Sequence, residues 1–188
     1  GIDYYLATGE TTYQSGDETA SLEVTNLGEV NDLSFNSVIL EGDQEYFWLV
    51  NHNDDGSLGS EYYSGSNSSV NICTIDNPAV TTLKIDYFYL NGGSYGVSRL
   101  VQTTNDGCVE NFDISNGGLW NSLLLVVTPI DGNTKIKLLG SGKFPVQGKE
   151  ISATGKVEGV NNTVTILNRY EAFLTEAIVA GGNVTSTE

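Results

Sequence analysis

The residues best suited to chemistry sit in Asn51-His52-Asn53-Asp54-Asp55-Gly56-Ser57, with Glu61 a short step further on. Calcium takes about six to eight oxygen ligands. Loops of the D-x-[DN]-x-[DN]-G type present them from alternating positions, with a glycine at the sharp bend. Asn51, Asn53 and Asp55 hold such positions here, Gly56 takes the bend and Ser57 offers its carbonyl. Calcium is therefore the one cofactor expected. The pattern departs from an EF-hand: its first residue is Asn, Glu61 comes one residue early and no helical periodicity flanks it. The competing reading is a polar hairpin loop after a strand.

Other acidic groups are Asp17-Glu18 and the alternating Glu41, Asp43 and Glu45. Three carboxylates on one strand face repel unless water or a cation separates them. Gly92-Gly93-Ser94-Tyr95-Gly96 spells the G-x-S-x-G elbow of serine hydrolases. That elbow needs a strand-to-helix turn and a later histidine, and the only histidine, His52, comes earlier. The segment reads as a hairpin turn. Among 24 acids some pair is always available for glycoside hydrolysis, and no spacing selects one. No enzyme is expected.

Cys73 and Cys108 are the two cysteines. Both are flanked by strand-like sequence and are expected to pair, stabilising the fold by roughly 3–4 kcal/mol in the chain-entropy model. Two thiols and one distant histidine leave a zinc shell short. N-x-Ser/Thr sequons begin at Asn67, Asn161 and Asn183, which are glycosylation candidates in an exported chain. Aromatic residues cluster at Tyr4-Tyr5, Tyr46-Phe47-Trp48, Tyr62-Tyr63, Tyr87-Phe88-Tyr89, Tyr95 and Trp120. Neighbours on a strand point to opposite faces. One of each cluster can fill a core while the other meets water, where it could stack on sugar rings.

The elements that must position these residues are short β segments broken by Gly, Asn and Asp. Strands are expected over Ile2–Thr8, Ala20–Thr25, Leu33–Leu40, Glu45–Asn51, Val70–Ile75, Val80–Leu90, Tyr95–Thr103, Cys108–Ile114, Leu119–Thr128 and Thr134–Leu139. A further one over Val157–Leu167 is split at Gly159 or Asn161-Asn162. Asn91-Gly92-Gly93 is a turn. Leu123-Leu124-Leu125-Val126-Val127 marks a central strand buried on both faces. Tyr170–Ala180 suits helix or strand, and the β surroundings favour strand. The sum is an all-β chain of about 10–12 strands, a single-domain β-sandwich (jelly-roll or Ig-like) spanning residues 1–188.

Eight Lys and Arg against 24 Asp and Glu give a net charge of −16. Such a chain repels phosphate backbones and anionic membranes, and no apolar run approaches the ~18 residues of a membrane span. No basic stretch followed by an apolar run opens the chain, as in a mature exported protein. With the paired cysteines, this sets the expectation of a secreted or cell-surface protein.

The leading segment, residues 1–8, alternates Ile2, Tyr4 and Leu6 on one side and is suited to entering a groove on another subunit as a donor strand. An N-terminal strand followed by Leu40-Glu41-Gly42-Asp43 and then Val50-Asn51 to Gly56-Ser57-Leu58 resembles secreted β-sandwich filament subunits. These are the biofilm-fibre proteins of the TasA/camelysin type and the archaeal bundling pili and cannulae. The resemblance reaches no further than Leu58. It implies a homo-polymer built by donation of the N-terminal strand, with calcium at some contacts. The alternative is a secreted, non-catalytic carbohydrate-binding module using exposed aromatics.

Overall fold

The computed structural model describes residues 8–35, 37–53, 55–63, 69–77, 82–115 and 118–170. All fourteen regular elements among them are β-strands. In chain order they are β1 (Gly9–Ser15), β2 (Glu18–Leu27), β3 (Asp32–Ser34), β4 (Glu45–Trp48), β5 (Val50–His52), β6 (Leu58–Tyr62) and β7 (Ser69–Ile75). There follow β8 (Thr82–Asn91), β9 (Ser94–Thr103), β10 (Cys108–Asp113), β11 (Asn121–Pro129), β12 (Lys135–Gly140), β13 (Gly148–Val157) and β14 (Val160–Arg169). They form three four-stranded sheets, ordered β10-β7-β12-β3, β4-β11-β8-β9 and β1-β2-β13-β14, and a β5-β6 hairpin. Every pairing is antiparallel.

The first two sheets make the sandwich. Alternation sends Leu83, Ile85 and Tyr87 of β8 and Leu125 and Val127 of β11 inward, against Val70 and Ile72 of β7 and Ile136 and Leu138 of β12. The other face of β11 carries Leu124 and Val126. They pack with Trp48, Val50 and Phe88 beneath Leu58 and Tyr62 of the β5-β6 hairpin. β11 is thus the double-faced central strand that its apolar run requires, with Leu124, Leu125 and Val127 all 0% exposed. Each such side chain contributes about 1.5–3 kcal/mol by leaving water. Cys73 and Cys108 face each other across β7 and β10 and are disulfide-bonded.

Three segments differ from the reading of the sequence. Leu33–Leu40 holds only the short β3 and a single bridge between Ile39 and Thr134. Glu45–Asn51 is two strands: at the fully buried Leu49 the chain leaves β11 and crosses to pair with β6. The final ribbon turns at Glu158-Gly159, the first of the two expected breaks, but the strand before the turn runs over Gly148–Val157, where none was expected. Gly9–Ser15, Leu58–Tyr62 and much of β13 are strands with little apolar alternation, and their polar composition masked them. Residues 1–7, with Ile2, Tyr4 and Leu6, and residues 171–180 lie outside the described residues.

Candidate functional site

Among the described residues the β1-β2-β13-β14 sheet pairs with no strand of the sandwich. Its side chains remain largely open to water on both sides. What holds it is its foot, where two side chains reach the edge strand β4. Gln147 is 1% exposed. Its Oε1 accepts from Trp48 N–H at 2.7 Å and its Nε2 donates to Trp48 O at 2.9 Å. One carboxamide thereby does for the β4 edge what a neighbouring strand would do, satisfying both backbone groups of a buried residue. The Gln147 backbone also ties in β2, donating to Leu27 O, and accepts from Tyr170 N–H just beyond β14.

Arg169 is the second fastening. Its Nη1 donates to Glu45 Oε1 at 2.5 Å, its Nη2 donates to the Tyr46 carbonyl, and its guanidinium lies 3.7 Å over the Phe35 ring. Glu45 is only 4% exposed, so this pair is largely withdrawn from water. Two glycines let the chain enter and leave the foot. A Cβ on Gly28 (φ +117) would meet the Pro145 carbonyl at 2.5 Å, and one on Gly148 (φ +146) would overlap the Asn168 carbonyl.

Register divides the sheet into unlike faces. Tyr13 of β1, Ala20, Leu22 and Val24 of β2, Ile151, Ala153 and Val157 of β13, and Val160, Val164 and Ile166 of β14 share one side. The other side carries mainly Thr, Ser and Glu, with Thr154 bonded to Thr163 across β13 and β14. Asn161, the one sequon asparagine within the described residues, is exposed on this polar side. On the apolar side Tyr13 is 67% exposed, Val160 and Val164 62% and Ile166 50%. Among the described residues β1 and β14 are the sheet's edges. β14 carries no proline, and its only charge is Arg169 at the foot, so it lacks the usual devices that discourage edge pairing.

The suggested calcium ligands all fall in the β5-β6 hairpin and its loop, where their polar groups bind one another. Asn51 Oδ1 accepts from Glu61 N–H at 3.0 Å, Asn53 Nδ2 donates to Ser57 Oγ at 3.0 Å, and Asp55 Oδ1 accepts from both Ser57 N–H and Oγ–H. The Ser57 hydrogen bonds hold the Asp55 carboxyl below its ordinary range. These bonds build a closed polar turn, and among the described residues no group of three or more His, Cys, Asp or Glu gathers as metal ligands. Glu41 and Asp43 are exposed, while Glu45 is turned to Arg169, so the three alternating carboxylates do not act together.

His52 ends β5. Its ring stacks on Tyr170 at 4.0 Å and meets Trp48 edge-on at 4.6 Å. Burial lowers its pKa to about 4, and its Nδ1 is buried without a hydrogen-bond partner among the described residues. Tyr87 donates its hydroxyl proton to the Ile114 carbonyl, and burial raises its pKa. Tyr89 and Trp120 stack face to face at 3.7 Å and occupy each other's rings. Among the described residues only Tyr13 and Tyr95 are exposed aromatics, and they stand on different sheets. They do not form the row of rings a sugar chain would lie on. Asn67 and Asn183 lie outside the described residues.

No protein-family model, curated protein or solved structure matches the chain. The residues that organise the site, Gln147 and Arg169, carry no motif. The only sequence signal for Arg169 is the scarcity of cations, eight in a chain of −16.

Proposed function

We propose that this chain is an extracellular structural protein, a subunit of a filament or surface assembly that polymerises by strand donation. Residues 1–8 are the donor, with Ile2, Tyr4 and Leu6 as the inserted side chains. The observation that carries the reading is the four-stranded sheet whose edge strands β1 and β14 pair with no further strand among the described residues and whose Tyr13, Val160, Val164 and Ile166 are exposed. Open strand edges are templates for a strand from another chain, and head-to-tail addition of this kind produces a polymer. The disulfide is in keeping with an oxidising compartment. No helix among the described residues is long and apolar enough to cross a membrane.

Negative-stain electron microscopy tests the proposal. The full chain is expected to form filaments, and deletion of residues 1–8 to leave discrete particles. Filaments that persist in the deletion overturn the donor assignment. The same grids with calcium or with EDTA test the Asn51, Asn53, Asp55, Ser57 and Glu61 loop as a calcium-assisted contact, and filaments indifferent to both remove calcium from the proposal.

A further inference from the structure

We infer that the strand that accepts the donor is β14, which takes residues 1–8 of a neighbouring copy along its outer edge. The inference rests on the strand-donation reading and adds the acceptor to it. β14 runs for ten residues and among the described residues pairs only with β13. Its hairpin fixes which backbone groups face outward. Glu158 (φ +48) and Gly159 (φ +84) form a two-residue turn that closes on Val157 and Val160. Such a turn closes on a pair that exchanges both backbone bonds, and bonded and non-bonded pairs then alternate. Val160, Asn162, Val164, Ile166 and Asn168 therefore bond to β13. Tyr170, next in that series, donates its N–H to Gln147 O at 3.0 Å, as the alternation requires. Asn161, Thr163, Thr165 and Leu167 direct N–H and C=O away from β13, and that row is the template for a further strand.

The other edges among the described residues are poorer hosts. β3, β5 and β6 are short, and Gln147 closes β4 at Trp48. β10 carries Glu110 and Asp113 and is broken by a bulge between Val109 and Phe112. β1 sets Glu10 opposite Glu23, and a donor bearing Asp3 would bring a further carboxylate to that edge. β9 matches β14 in length, but Arg99 stands at its centre with Nε donating to Asp86 at 2.6 Å, and a charge on an edge discourages pairing. β14 holds no charge from Val160 to Asn168, in a chain of −16. Eight extended residues reach ~26 Å, within the ~33 Å of a ten-residue strand. A donor laid along β14 sets Ile2, Tyr4 and Leu6 beside the exposed Val160, Val164 and Ile166, and Asp3 and Tyr5 beside Thr163 and Thr165. Donor and acceptor are different strands, so the contact is head-to-tail and repeats from copy to copy.

Electron microscopy and sedimentation velocity on full-length variants test the assignment. Thr165→Pro removes one outward N–H and leaves the bonds to β13 in place, since proline is tolerated where an edge N–H faces solvent. Filaments are expected to be lost. Thr165→Val, which keeps the N–H, is expected to polymerise like wild type. So is Val101→Pro, whose N–H by the same count faces outward from β9. A chain with Ile2→Lys, Tyr4→Lys and Leu6→Lys has an intact β14 but no donor, whereas the Thr165→Pro chain has a donor but no acceptor. Neither is expected to form filaments alone, and an equal mixture is expected to give a one-to-one dimer and nothing larger. Circular dichroism checks that each variant folds. Filaments from Thr165→Pro, loss of them in Val101→Pro, or a mixture that stays monomeric overturns β14 as the acceptor while donation stands. Filaments from the triple-lysine chain overturn the donation reading itself, and the inference with it.

Discussion

Removing the Arg169 guanidinium tests how the open sheet is held. Glu45 is 4% exposed, and Arg169→Ala leaves its carboxylate with the Tyr46 N–H but without a cation. Breaking a buried pair from one side costs about 3–5 kcal/mol, because the orphaned charge has lost its hydration. The Arg169 side chain is 26% exposed, so water can reach part of the vacated space, and the lower end, about 3 kcal/mol, applies. Loss of the cation over the Phe35 ring adds about 0.5–1 kcal/mol. For a chain of this size each kcal/mol moves Tm by about 2–4 °C, so a fall of roughly 7–16 °C is expected. Adding Glu45→Gln removes the stranded charge while keeping the shape, and about half the loss should return. Urea unfolding followed by Trp48 and Trp120 fluorescence, with the disulfide intact, measures both. A loss under about 1 kcal/mol, or no recovery in the double variant, refutes the reasoning.

Gln147→Ala strips both partners from the Trp48 backbone, and about 2–4 kcal/mol should be lost, with faster exchange of the Trp48 amide in hydrogen-exchange experiments. Replacing Cys73 and Cys108 together by serine frees the loop between them and should cost about 3–4 kcal/mol, read as a Tm fall of roughly 6–16 °C. His52 titrates at about 4 in the fold and at 6.5 when unfolded, so the unfolded chain binds more protons between those values. Its contribution is complete above pH 6.5 and drains as pH falls toward 4. It amounts to about 1–2 kcal/mol after allowing for solvent screening. The difference in urea midpoint between wild type and His52→Phe, measured at pH 7 and at pH 4.5, should show that slope in wild type alone.

The sandwich was legible because burial writes itself into composition. Leu123 to Val127 could only be a strand covered on both sides, and Cys73 and Cys108 lay in segments that pair in register. The open sheet was not legible for the converse reason. Gly9–Ser15 is exposed throughout, so selection for a core left no period in it. In β14 the valines alternate with Asn and Thr, but the matching residues of β2 lie far away in sequence. An apolar face assembled from two hairpins distant in sequence emerges only once the register is known. Gln147 failed to stand out because its work is done by an amide against backbone, and any residue type can supply the backbone. The Asn51–Glu61 loop shows the opposite problem: oxygens at ligand-like spacing serve a turn equally well when they bond to one another.

A sheet wet on both sides has no core of its own, and strands of this kind need a covered face or a packed neighbour to stand alone. Here the ladder from β1 to β14 is continuous, and Gln147, Arg169 and a few backbone bonds connect it to the sandwich among the described residues. Such an element is costly unless its exposure serves contact. Its length makes contact possible for a strongly acidic chain. A ten-residue strand reaches about 33 Å, whereas charges are screened beyond about 8 Å at physiological ionic strength. In the proposed assembly, copies joined at the edges of this sheet would keep most of their negative surfaces several screening lengths apart. Placing open strand edges on this sheet, away from the sandwich wall, would let a protein of net charge −16 take up a strand from another copy there.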